Sequence, residues 1–180
     1  GMNNSYKYRN RSQMPFKNTE TGLALGFYKP ESNNFVCVDN CLIHHDELNK
    51  INGKVLSILK KHKYMANDVR NHDEILVYLV TRYLDRTNSA SVTLVISEYK
   101  EDLKKVGKEI LTKIPSVKSV TYTVNNLKSN LVISDRLYLL AGEMWIEDKF
   151  KDLKVKISPD AFHQLNTVQM EKMYDKIIDI

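Results

Sequence analysis

I-L-V-Y-L-V-T-R-Y-L, residues 75–84, is apolar on both alternating faces except at Thr81 and Arg82. A strand with one wet face alternates apolar and polar residues, so a run apolar on both faces predicts a strand at the centre of a sheet. Residues 91–97 predict the next strand, and the loop between the two carries Asp85, Arg86, Thr87 and Asn88. Residues 101–114 place Leu103, Val106, Ile110 and Ile114 on one helical stripe, and Pro115 ends that helix because it lacks the amide proton to continue it. Residues 116–125 then alternate, Val120, Tyr122 and Val124 against Ser119, Thr121 and Thr123, which predicts a half-buried strand.

Toward the N-terminus, residues 46–61 carry Leu48, Ile51, Val55, Ile58 and Leu59 at helical spacing with lysines between, predicting a helix buried on one face. Residues 23–28 and 35–38 are short apolar runs separated by Pro30, Glu31, Ser32, Asn33 and Asn34, and read as a hairpin. The residues ahead of them form a basic arm: Lys7, Arg9, Arg11 and Lys17 precede the first acidic residue, Glu20, and are interleaved with Tyr6 and Tyr8. Such a pairing can meet phosphates and stack on bases, and a solvated arm has the same composition.

Toward the C-terminus, short strand-like runs fall at 131–133, 137–140, 144–147 and 153–157. In the last, Leu153, Val155 and Ile157 alternate with Lys154 and Lys156, predicting a core side and a basic side. A closing helix follows, with Asn166 and Gln169 in the spacing of a reciprocal N-cap and Met170, Met173, Ile177 and Ile180 on its stripe. The fold class this predicts is α+β: a mixed or largely antiparallel sheet with packed helices, plus small β-rich additions. Residues 1–20 form the basic arm, 21–158 the central α+β domain, and 159–180 a junction and helix leading onward.

The chain has 180 residues and a net charge of +5, suited to a polyanionic partner such as RNA and equally to solubility. Its two cysteines do not make a disulfide scaffold, no signal-like segment opens it, and no apolar run reaches the roughly 20 residues that span a bilayer, so it reads as cytoplasmic with no membrane partner.

Little catalytic chemistry is visible. There is no G-x-S-x-G elbow, and Ser91, Ser97 and His72 sit as ordinary strand-end and loop residues. Cys37, Cys41, His44 and His45 lie close together but lack a second ligand pair, and Cys37 falls in an apolar strand where a thiol reads as a small core side chain. The six glycines are scattered, so neither a Rossmann fingerprint nor a P-loop occurs. The most site-like segment is S-P-D-A-F-H-Q-L-N, residues 158–166. Phe162 offers a flat apolar face and Gln164 and Asn166 offer amides for a base edge or cofactor; core packing for Phe162 and helix capping for Asn166 are equally open.

Several segments together resemble the bacterial RNA uracil-C5 methyltransferases. They are Tyr8-Arg9-Asn10-Arg11 with Gln13-Met14-Pro15, Gly26-Phe27-Tyr28 with Ser32, Cys41-Leu42-Ile43, and most specifically Ile157 to Asn166, similar to that family's I-S-P-x-x-F-x-Q-x-N. The resemblance implies an S-adenosylmethionine-dependent enzyme acting on RNA, 23S rRNA first and tRNA as the alternative. It places Phe162 and Asn166 at the substrate base, with Arg9, Arg11 and Arg82 also on the substrate side, and Gln164 at S-adenosylmethionine. It also implies a 4Fe-4S cluster with Cys41 as one of four ligands. The family's nucleophilic cysteine, general base and cofactor loop belong to a downstream methyltransferase domain acting in cis, so these 180 residues are expected to be its substrate-positioning part, with no catalytic residue of their own and inactive alone. The competing reading is a noncatalytic RNA-binding or assembly module. One thiolate does not retain a cubane cluster, so an iron assay on the anaerobically purified 180-residue chain should find no stoichiometric iron.

Overall fold

A computed structural model describes residues 5–68, 74–125, 132–134 and 136–178. Of the residues singled out above, His72, Leu131 and Ile180 lie outside them. The elements in order are β1 (Arg11–Thr19), β2 (Gly22–Tyr28), β3 (Phe35–Cys37), α1 (Asp46–Lys61), β4 (Leu76–Leu84), β5 (Ser89–Ile96), α2 (Leu103–Lys113), β6 (Val117–Val124), β7 (Tyr138–Gly142), β8 (Ile146–Phe150), β9 (Leu153–Ile157) and α3 (Thr167–Ile178). Seven strands form one sheet in the order β3-β2-β1-β4-β5-β6-β7, and β8 pairs β9 in a separate two-stranded ribbon. Only β5 and β6 pair in parallel, with α2 as the crossover between them; the other pairs are antiparallel. The fold is α+β with a mixed sheet and a small β addition, as the sequence predicts.

β4 is central, bonded to β1 and β5. One face carries Met14, Leu79, Tyr83, Val92, Leu94 and Val120 and packs on Leu48, Ile51, Val55, Val106 and Ile110 of the two helices. α1 starts where His45 Nδ1 accepts the Glu47 amide at 3.2 Å, capping an otherwise unsatisfied first turn. β4 and β5 are joined by a 3-10 turn, Asp85–Thr87, and Asn88, whose φ of 44° is left-handed. Asparagine tolerates that conformation, and its Oδ1 accepts from the Tyr83 hydroxyl at 3.2 Å.

The other face of the sheet is polar and covered. Ser91, Thr93, Ser119, Thr121 and Thr123 are all buried, so β6 is not the half-wet strand its alternation predicts. Thr93 and Thr121 hydroxyls bond each other at 2.9 Å, and Thr123 donates to the Arg136 carbonyl at 2.9 Å. Val132 and Ile133 lie over Val77, Val80 and Val95, and Leu84 packs with Ile146 and Ile157. The alternation was sound as a strand signal; its wet side is covered by later chain, and hydroxyls that bond each other can be buried.

Four other expectations change. Residues 11–19 are no arm: β1 lies between β2 and β4, with Met14 and Phe16 in the core. Cys37 is exposed, because β3 is a sheet edge. Leu153 and Val155 stay exposed, since β9 pairs only β8 and only its Ile157 reaches the core. In α3, Asn166 Oδ1 does cap, accepting the Gln169 amide at 3.1 Å, but Met170 alone is buried while Met173 and Ile177 face outward.

Sequence periodicity passes over Asn52, which is buried among the apolar residues of α1. Its amide donates to Ser12 Oγ at 3.1 Å and accepts from Thr81 Oγ1 at 2.8 Å, joining α1 to β1 and β4. Asn52→Ala strands two buried hydroxyls, and urea denaturation should show a loss of about 2–3 kcal/mol.

Candidate nucleic-acid interface

Three segments distant in sequence meet at the end of β4. Residues 8–10 run between residues 41–45 and the end of the 158–166 motif, after a bend at Lys7, whose φ of 58° is left-handed. On one side, Lys7 and Arg9 amides donate to the Leu42 and Ile43 carbonyls at 2.9 Å each, and the His45 amide donates to the Arg9 carbonyl at 2.9 Å. On the other, the Asn10 amide donates to the Leu165 carbonyl at 2.9 Å. The Asn10 side-chain amide donates to the Gln164 carbonyl at 2.8 Å and to Thr167 Oγ1 at 3.2 Å, while the Asn10 main-chain carbonyl accepts the Tyr83 amide at 2.9 Å.

Arg82 secures the turn of the motif. It is 2% exposed, and its guanidinium donates to the Ala161 carbonyl at 2.8 Å and, more weakly, to the Ser158 carbonyl at 3.5 Å. Its Nε finds no hydrogen-bond partner among the described residues. Burial, reinforced by the neighbouring Arg11 and opposed by Asp160, lowers its pKa to about 10, so it stays charged at neutral pH. Arg11 lies opposite it in the β1/β4 register and is lowered for the same two kinds of reason. Arg82, expected on the substrate side, is buried with its guanidinium on backbone carbonyls of the motif, which it holds from within.

With its turn held from beneath, the motif presents Phe162 outward at 83% exposure. Packing in the core, one of the two readings open for Phe162, is excluded. Gln164 is half-buried; its carbonyl is fixed by Asn10, and its side-chain amide makes no hydrogen bond among the described residues, leaving it available to a ligand.

A cleft of about 400 Å³ opens beside the junction, lined among others by Tyr6, Tyr8, His45, Tyr83, Arg86 and Asn166. His45 and Tyr83 lie ring to ring at 4.9 Å. Of the candidate residues, Asn166 alone lines this cleft. Arg9 is half-buried with Nε donating to the Arg11 carbonyl at 2.9 Å, and Arg11, Arg82, Phe162 and Gln164 lie outside the lining. Lys7 is engaged by Asp46 at 3.0 Å, an exposed pair of little energetic weight.

Cys41 is half-buried, its amide and carbonyl both held by the Asn49 side chain at 3.2 and 3.1 Å. Among the described residues no group of three or more His, Cys, Asp or Glu side chains is placed to hold a metal. A 4Fe-4S cluster takes four thiolates and the sequence has two cysteines, so the residues present do not hold one by themselves.

A charged cluster that sequence reading missed braces the site. Asp148 of β8, 3% exposed, receives Arg86 through both carboxylate oxygens at 3.3 and 3.1 Å and lies 3.3 Å from His163 of the motif. Arg86 also binds Glu171 of α3. In sequence Arg86 stood only in the loop after the central strand and Asp148 lay just past the strand-like run 144–147; no spacing links residues 62 positions apart.

No protein-family model matches the chain. It is 33% identical over 180 residues to an uncharacterized RNA methyltransferase of Halalkalibacterium halodurans, covering 99% of this chain and 39% of that protein. It is 32% identical over 183 residues to one of Caldanaerobacter subterraneus subsp. tengcongensis, covering 99% and 40%. The chain thus spans about two fifths of the length of these relatives. Its fold is similar to that in the crystal structure of Pyrococcus abyssi tRNA (uracil-54, C5)-methyltransferase in complex with S-adenosyl-L-homocysteine. The TM-score is 0.75 at 19% identity, over 98% of this chain and 42% of that one.

The Asp148 contacts make acid stability a test. Burial opposes its charge, but the close approach of His163, the Arg86 hydrogen bonds and the Lys149 amide at 2.8 Å together hold its pKa down at about 2, against an ordinary 3.8. A depressed carboxylate stabilises the fold fully above the unfolded value and loses that contribution as pH falls toward the folded one. Asp148→Asn should cost about 2 kcal/mol at neutral pH, and thermal melts should show the gap from wild type closing between pH 4 and pH 2.

Proposed function

We propose that this chain is the substrate-positioning part of an S-adenosylmethionine-dependent RNA uracil-C5 methyltransferase, a reading supported by its similarity to those bacterial RNA methyltransferases. The observation that carries this reading is Phe162: an aromatic ring 83% exposed, on a turn anchored by the buried Arg82 and tied through Asn10 to the cleft. A rigidly presented aromatic face with a free amide two residues on is suited to stacking a splayed-out base and bonding a polar ligand beside it.

Phe162 stacks the target uridine, Asn166 lines the pocket, and Arg9 and Arg11 lie on the strand that brings phosphates toward it. The Gln164 side-chain amide, which makes no hydrogen bond among the described residues, fits a polar group of S-adenosylmethionine. That cofactor supplies the methyl group; the residues here bind and orient. By the family resemblance, the cysteine that attacks the uracil ring belongs to a methyltransferase domain acting in cis, and the 180 residues alone are expected to transfer no methyl group. The preferred RNA is 23S rRNA, with tRNA as the alternative, and the compartment is the cytoplasm. Among the described residues no helix is long and apolar enough to cross a membrane. In the intact enzyme Cys41 would supply one thiolate ligand of a 4Fe-4S cluster.

In the intact methyltransferase, Phe162→Ala should lower methyl incorporation into uridine-containing RNA by roughly tenfold or more, the scale of one lost base–aromatic stack. Mass mapping of the product identifies the RNA and the atom. Label on a base other than uracil, or an unchanged rate in the variant, refutes the assignment.

A further inference from the structure

Away from the cleft, three tyrosines from separate elements stack into a ladder. Tyr99, just after β5, has its ring centroid 4.8 Å from that of Tyr122 in β6, with planes 19° apart. Tyr122 lies 5.0 Å from Tyr138 in β7, with planes 20° apart. The register places Tyr122 directly opposite Tyr138, and the Tyr99 hydroxyl is fixed by Glu101 at 2.8 Å. Tyr99 and Tyr122 rest against the core, so the ladder is rigid at its inner end. Tyr138, on the edge strand, is 42% exposed and meets no other ring beyond Tyr122 among the described residues.

The ladder ends beside a recess of about 300 Å³ lined by Val124, Ser134, Arg136 and Tyr138. The Arg136 carbonyl is pinned by Thr123 at 2.9 Å, while its exposed guanidinium has no ion pair or hydrogen bond among the described residues. An ordered aromatic face and an unpaired cation at one recess match an unpaired nucleotide: the base continues the stack and the phosphate meets the guanidinium.

We propose that Tyr138 and Arg136 form a second RNA contact, taking an unpaired nucleotide of the same strand whose target uridine is handled at Phe162. This rests on the RNA reading above. The ladder lies four residues along the sheet and three strands across from Tyr83 at the cleft, roughly 20 Å at about 3.3 Å per residue and about 4.8 Å per strand. An RNA strand that reaches both the ladder and Phe162 passes round the sheet and not along this helix-covered face, so the ladder would favour substrates unpaired on one side of the target.

The test is fluorescence anisotropy of a labelled uridine-rich single-stranded oligonucleotide with the protein and its variants. Tyr138→Ala should weaken binding roughly tenfold, Tyr138→Phe should bind as wild type, and Arg136→Ala should weaken binding and flatten its salt dependence by about one ion. If wild type binds and Tyr138→Ala binds equally well while Tyr8→Ala in the cleft binds poorly, the ladder is not an RNA contact and the RNA reading stands. If wild type binds no RNA even at low salt, the RNA reading falls and this proposal with it. Sedimentation of the RNA-free protein covers the remaining occupant: a dimer lost in Tyr138→Ala would make the edge a self-association surface and overturn the proposal.

Discussion

Asn10 is the residue through which the site is assembled. Its amide, carbonyl and side chain bond three different segments: Leu165 and Gln164 of the motif, Tyr83 at the end of β4, and Thr167 at the start of α3. A buried backbone group must find a partner or lose the free energy of its lost water contacts. At a position covered on both sides, that requirement forces the motif to lie against residues 7–10 in one register. Residues 41–45 satisfy the opposite edge of the same strand, so the sheet delivers three segments to one end of its central strand.

Arg82 carries this constraint to the second face of the sheet. A guanidinium buried in the fold is costly unless its donors are occupied, and the carbonyls of the 158–161 turn occupy two of them. Asp160, on that turn, offsets the charges of Arg82 and Arg11. The turn and the arginine therefore hold each other, and Phe162 points outward because what lies beneath is already taken. On the far side of the motif, the Arg86–Asp148–His163 contacts draw the β8–β9 ribbon and α3 to the same junction.

Where a residue's surroundings come from its own element, the sequence was legible. α1 spans the predicted residues 46–61, the helix predicted at 101–114 appears as α2, and the doubly apolar run 75–84 is the central strand. Where burial is imposed by distant chain, local pattern misled. Ser119, Thr121 and Thr123 look wet and are buried, Leu153 and Val155 look like core and are exposed, and residues 11–19 look like an arm and form an interior strand. The candidate site divides the same way: Asn166 keeps its cap and gains a cleft, whereas Arg82, expected on the substrate side, is buried and holds the motif from within.

The sequence by itself determined the α+β class, the central strand and both main helices, because hydrophobic period and short-range capping are properties of neighbouring residues, while residues 157–166 were legible as a motif only through a resemblance. Tertiary structure alone decided which face of the sheet is dry, that Arg82 supports the motif from within, and that Arg86, Asp148 and His163 form one charged brace. Those outcomes depend on pairing partners dozens of residues apart, a pairing set by whole-chain packing and the demand that every buried polar group be satisfied.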